Sequence, residues 1–146
     1  MRFMMIVKAS PDSEAGVMPK KDLVEAMGRF NEEMAKAGVM LAGEGLHPSS
    51  KGARVRFSGD KTTVIDGPFA ETKEIIAGFW LIQVGSKEEA IAWARRIPAP
   101  RGEDQEGVIE LRQVFEVEDF PADVLSPEEA AKERALRDQL GEKGRP

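Results

Sequence analysis

The chain has 146 residues, of which 41% are hydrophobic and 32% charged, so it is long enough for one domain with an appendage and polar enough to stay in solution. Its net charge of −5, with acid and base interspersed, argues against a general nucleic-acid binder, which carries a basic stripe. It has no cysteine and one histidine, which excludes disulfides and thiolate metal sites and leaves only carboxylate metal sites, for which the spacing shows no convergence.

In chain order, Phe3 to Val7 reads as a first strand, apolar on both faces and therefore interior. The apolar start is too brief for a signal peptide, and no run is long enough to span a bilayer as a helix, so the expectation is a cytoplasmic protein without membrane contact. Residues 10–18 carry Pro, Gly and acid and read as a mobile surface loop. Pro19 is placed to open a helix, and Leu23, Met27, Phe30 and Met34 follow at helical spacing as core-facing residues. Gly38 ends that helix. Val39 to Leu46 is a second strand whose Gly43 and Gly45 suggest a bulge or a close approach by another group.

Ala53 to Ser58 alternates apolar and polar residues, Ser58-Gly59-Asp60-Lys61 is a hairpin turn, and Thr62 to Ile65 returns. Asp66-Gly67-Pro68 breaks that run, alternating charges follow, and a long, almost uncharged stretch leads to Val84. Ile75, Ala77, Phe79 and Leu81 would face one way, and Ile76, Trp80, Ile82 and Val84 the other. Both sets are apolar, so this strand belongs at or near the centre of a sheet, with the Asp66 loop at its entry. Ser86-Lys87-Glu88-Glu89 is a capping box that opens a helix stopped by Pro98. A polar loop over 99–107 and an alternating strand from Val108 to Val117 complete the first part. At Glu118-Asp119-Phe120-Pro121 the composition shifts. Ser126-Pro127-Glu128-Glu129 caps a polar helix whose thin stripe is mainly Leu136 and Leu140, with residues 141–146 expected to be disordered. The expected division is therefore 1–117 and a helical extension over 118–146.

Strand-helix-strand twice, with a hairpin inserted between, fits a ferredoxin-like split motif in the α+β class. Such a sheet carries both helices on one face. The other face needs a cover, and face-to-face dimerisation supplies one.

Asp66-Gly67-Pro68-Phe69, followed by Glu71, Lys73-Glu74, Gly78-Phe79-Trp80 and the helix from Ser86 to Trp93, resembles the DGPF branch of the YCII-related proteins. Gly43-Glu44-Gly45-Leu46 upstream and Ile109-Glu110-Leu111-Arg112 downstream match the same pattern, and the likeness covers roughly residues 1–117. The resemblance implies a homodimeric α+β barrel of ferredoxin-like protomers. It also implies a protein of unassigned function, of a kind often found beside alternative sigma factors in bacteria. The wider group includes a dehydrochlorinase with a proposed His–Asp pair. That pair does not carry over: the first helix offers Glu25, Met27 and Arg29 where the histidine is expected, and the second helix ends in Arg95-Arg96-Ile97 where the aspartate is expected.

Two functional readings follow. In the first, the chain is a small-molecule enzyme or binding protein. Asp66 and His47 are then the candidate acid–base residues, and Glu44, Arg56, Glu71, Lys73 and Trp80 the candidate ligand contacts. In the second, it is a non-catalytic dimeric module that contacts a regulatory partner. Each residue also has a structural reading: Asp66 fixes its own turn, His47 is a surface strand end, Glu44 and Arg56 (with Arg54) pair across the sheet, Glu71 and Lys73 form ion pairs at a dimer interface, and Trp80 is core. No phosphate loop, nucleophile elbow or haem motif is present, so no cofactor is expected.

Overall fold

The computed structural model describes residues 1–98 and 106–143. Most of the polar loop expected over 99–107 lies outside the described residues. The chain separates into one compact unit, Met1–Gln113, and a second from Val114 onward.

The first unit is built on a four-stranded antiparallel sheet in the order β2-β5-β1-β6. Its strands are β1 (Arg2–Lys8), β2 (Met40–Gly45), β5 (Ile76–Gln83) and β6 (Ile109–Gln113). With α2 (Lys21–Lys36) between β1 and β2, and α3 (Lys87–Arg95) between β5 and β6, the unit is α+β and compatible with a ferredoxin-like fold. β5 occupies an interior position between β2 and β1, where an almost uncharged strand belongs. A separate two-stranded sheet holds β3 (Ala53–Ser58) and β4 (Lys61–Asp66), joined by a turn in which Gly59 takes φ 59°.

The core lies between the sheet and the two helices. Phe3, Met5, Trp80 and Ile82 from the strands meet Phe30 and Met34 from α2, and Ala90 from α3. The Phe30 ring stands edge-on to both Trp80 and Trp93, with centroids at 5.7 and 6.2 Å. Burying so much aromatic surface on one face explains why a helix with an ordinary charged exterior stays docked.

The helix ends follow their local chemistry. At the end of α2, Val39 N donates to Met34 O and Gly38 N to Ala35 O, with Gly38 at φ 71°, which is a Schellman motif. At the start of α3, Ser86 Oγ accepts from Glu89 N, while the Glu89 carboxylate reaches Gly85 N, one residue further back than a standard capping box. Residues 10–18, expected as a loop, contain a short helix, α1 (Pro11–Glu14), closed by mutual hydrogen bonds between Ser10 and Ser13. Helix α2 begins at Lys21, two residues after Pro19.

In the second unit a 3-10 turn (Val117–Asp119) precedes α4 (Pro127–Lys143). The last described strand therefore ends at Gln113, not at Val117. Helix α4 continues through Gly141 to Lys143, past the point where disorder was expected, and residues 144–146 lie outside the described ones. Arg134 Nη2 donates to Glu118 at 3.1 Å and Arg137 Nη1 to Glu116 at 2.9 Å, tying α4 to the turn before it. These pairs supply a hold that the thin leucine stripe does not.

Candidate functional site

The Asp66-Gly67-Pro68-Phe69 segment is held by the turn that follows β2. Ser49, in a 3-10 turn (Ser49–Lys51), is the one buried polar residue among those described, with 8% of its surface exposed. Its hydroxyl donates to Glu14 Oε2, and its backbone N donates to Glu14 Oε1 at 3.0 Å. The same hydroxyl accepts from Phe69 N at 3.1 Å. Gly67 N donates to Gly52 O at 3.0 Å. A Cβ on Gly67 would collide with the Ser49 carbonyl, a backbone group that has no room to retreat, so only glycine fits. The Gly67–Pro68 peptide is cis. The Arg54 guanidinium lies 3.8 Å from the centre of the Phe69 ring, which adds a cation–π contact from β3. Three segments, residues 10–14, 48–52 and 66–69, thus close around one hydroxyl. Its donor and acceptor capacities are both used, so its burial carries no unsatisfied polar group.

The sequence candidates distribute unevenly about this node. His47 lies two residues before Ser49 and Asp66 one residue before Gly67, so the Ser49–Gly67 contact brings both to one end of the unit. Both are exposed. Asp66 ends β4, paired with Ala53, and its side chain makes no hydrogen bond within the turn among the described residues. Glu44 is exposed on β2, opposite Phe79. Leu46 N continues that ladder by donating to Ala77 O at 2.9 Å, which carries the chain to His47. Glu71 and Lys73 flank the loop on its downstream side, in and before the 3-10 turn Thr72–Glu74. Arg56 sits opposite Thr63, two residues further along the hairpin than Arg54.

Trp80 stands apart from this group. Its neighbour in register is Gly43, while Glu44 faces Phe79, and successive residues of a strand face opposite sides. The indole is therefore on the helix side of the sheet, 7% exposed, with Nε1 donating to Asn31 Oδ1 at 2.8 Å. It is a core residue and does not share a surface with Glu44. The close approach expected at Gly43 is made by this indole: a Cβ there would sit 2.6 Å from Trp80 Cδ1. Sequence reasoning missed Ser49 and Glu14. Ser49 lies just past the expected second strand and Glu14 read as loop acid, and Ser49 meets partners 20 and 35 residues away.

Among the described residues no group of three or more His, Asp or Glu side chains gathers as metal ligands would, and no helix is long and apolar enough to cross a membrane.

A family model of the YCII-related domain matches residues 1–118. The chain belongs to the YCII-related family. It is also similar to an uncharacterised protein of Rhizobium meliloti (strain 1021), with 50% identity over 72 residues, which is 49% of this chain and 56% of that protein. The match thus spans little more than half of that relative. This YCII-related chain keeps the Asp-Gly-Pro-Phe segment within the matched domain, on the Ser49 node described above.

Proposed function

We propose that the protein is a homodimer, closed sheet face against sheet face into an α+β barrel, and that each protomer binds a small molecule beside the Asp-Gly-Pro-Phe loop. The observation that carries this reading is the Ser49 node. It fixes a loop from three sides while leaving the Asp66 carboxylate and the His47 imidazole at the surface beside it. Loops held rigidly on a scaffold, with polar groups still free, are where binding and catalytic sites are built. Asp66 and His47 are the acid–base candidates, with Glu44, Arg54, Glu71 and Lys73 at the rim. The dimer is supported by the sheet face turned away from the helices. There Met4, Ile6, Phe79 and Leu81 line the middle strands, and Glu44, Glu110 and Arg112 stand on the edge strands. An apolar centre with a charged rim is the composition of a protein–protein interface.

The test combines light scattering with a ligand-observed NMR screen of small polar metabolites, run on the wild type and on Asp66→Asn. A dimer is expected. At least one compound should bind the wild type and lose about tenfold in affinity in the variant, as removing a charged hydrogen-bond partner does. Melting should be nearly unchanged. A dimer that binds nothing in the screen would favour the other reading, a non-catalytic module that contacts a regulatory partner. A folded monomer would remove the barrel from both.

A further inference from the structure

Away from the loop cluster, a shallow groove of about 380 Å³ opens on the helix layer between α2 and the end of α3. One wall is the α2 face carrying Ala26, Arg29, Phe30 and Glu33, spaced to share one side of a helix. The other wall is Arg95 and Arg96, with Pro98 closing the end. Three guanidiniums and one carboxylate therefore gather in a chain whose overall charge is −5. The carboxylate is already engaged: Glu33 pairs with Arg96. Arg96 is further fixed by the Trp93 ring, 4.5 Å from its guanidinium carbon. Arg29 and Arg95 make no ion pair among the described residues, although both line the groove and both are exposed.

We propose that this groove binds a small organic anion, a phosphate monoester or carboxylate with a compact apolar body. A guanidinium fork matches the oxygens of either group in two parallel hydrogen bonds. An anion between Arg29 and Arg95 would give a partner to two guanidiniums that line one groove and make no ion pair among the described residues. The apolar body lies on Ala26 and Pro98, beside the nearly buried Phe30. The simpler account of the arginines at the end of α3 is that they answer the negative end of the helix dipole. It explains Arg95 and Arg96, but not Arg29, which sits in the middle of α2 on the facing wall. The same dipole opposes an anion, but with about half a charge, against whole charges on the guanidiniums. Two last-turn carbonyls are also already engaged, since Arg96 N and Ile97 N donate back to Trp93 O and Ala94 O.

The experiment is an NMR titration of the full chain with phenyl phosphate, benzoate, phenol and inorganic phosphate, each to about 10 mM, enough to populate a site with a Kd near 1 mM. Phenyl phosphate or benzoate should shift the side-chain Nε–Hε signals of Arg29 and Arg95, and phenol should not. Whichever anion binds more tightly identifies the headgroup. Arg29→Gln and Arg95→Gln should each weaken binding about tenfold. Glu33→Gln, which removes a negative charge from the groove and releases Arg96, should tighten it severalfold. The proposal is overturned if no anion shifts these signals, or if the Arg29→Gln/Arg95→Gln double variant binds as well as the wild type. Inorganic phosphate that binds as tightly as phenyl phosphate would overturn the apolar part of the site. None of these outcomes depends on Asp66, so this groove and the loop site stand or fall separately.

Discussion

Strand β5 and the β3–β4 hairpin belong to the same unit and differ in almost everything that holds a strand in place. β5 has a neighbour on each side, and its Trp80 and Ile82 are 7% and 0% exposed. The hairpin pairs only with itself, and Val55, Val64 and Phe57 are 54%, 66% and 78% exposed. Val55 faces Val64 directly, and Phe57 lies two residues along on the same side. The hairpin has its pattern but, among the described residues, no layer above it. Alternation in a sequence reports which residues share a face and says nothing about what covers that face. A two-stranded sheet alone is marginal in water. This one is anchored at its base, where Gly67 N meets Gly52 O and Arg54 lies on Phe69.

The largest expected effect is on the covered side of that comparison. Ile82→Ala removes a fully buried side chain near the C-terminal end of β5, between Phe3 in register on β1 and Met40 on β2. It should lower the unfolding free energy by about 2–5 kcal/mol, the range for large-to-small core changes. Denaturant unfolding followed by circular dichroism measures it. A loss below about 1 kcal/mol would mean that the site collapses to fill the space.

Next is the anchor itself. Ser49→Ala leaves Phe69 N without its acceptor and removes one of the two donors to Glu14. A loss of about 1–3 kcal/mol is expected, in line with stranding a partly buried hydrogen-bonding group. Hydrogen exchange should quicken at Phe69 N and leave Trp80 and its neighbours in β5 protected. If exchange quickens equally in β5, the loop cluster and the sheet open as one unit, and the contrast between the two regions fails.

These two substitutions also show where the sequence was readable. The interior place of β5 followed from an uncharged run, the turn at Gly38 from its position after a periodic segment, and the α3 start from Ser86 and Glu89. Each of these is a local signal, because the residues that decide it lie within one element. The Ser49 node is assembled from three segments far apart in the chain, so nothing near Ser49 or Glu14 announces their pairing. Trp80 shows a different limit. Its strand was legible, but its role depended on the register with β2. Once Gly43 pairs with Trp80, the indole goes to the helix side and Glu44 to the other. Asp66 shows a third. Asp-Gly-Pro is turn chemistry, yet the turn is held by Ser49 and Gly52, and the carboxylate is left exposed.

Phe57→Ser sharpens the exposed side of the comparison. On a protomer alone it should change stability by no more than about 0.5 kcal/mol, as surface substitutions do. Analytical ultracentrifugation should be run alongside the unfolding curve. A larger loss that depends on protein concentration would show that the hairpin is packed in the assembled protein, and the contrast with β5 would then describe the isolated chain only.

The smallest effect belongs to the second unit, at the Glu118–Arg134 pair between α4 and its turn, which is open to water. The Glu118 carboxyl is held below its ordinary range, first by a hydrogen bond from its own backbone and then by the Arg134 side chain. A carboxylate whose folded pKa is depressed stabilises the fold above its unfolded pKa, and that contribution fades as pH falls through the folded value. Glu118→Gln should therefore melt slightly below the wild type near neutral pH. The gap should close as pH drops from about 7 to about 3, through the carboxylate range. Both partners are more than half exposed, so the gap should also shrink in added salt, as it does for surface pairs. A gap that stays constant across both series would mean that Glu118 acts through packing or turn geometry. In that case the ion pair to Arg134 is not what holds α4 to its turn.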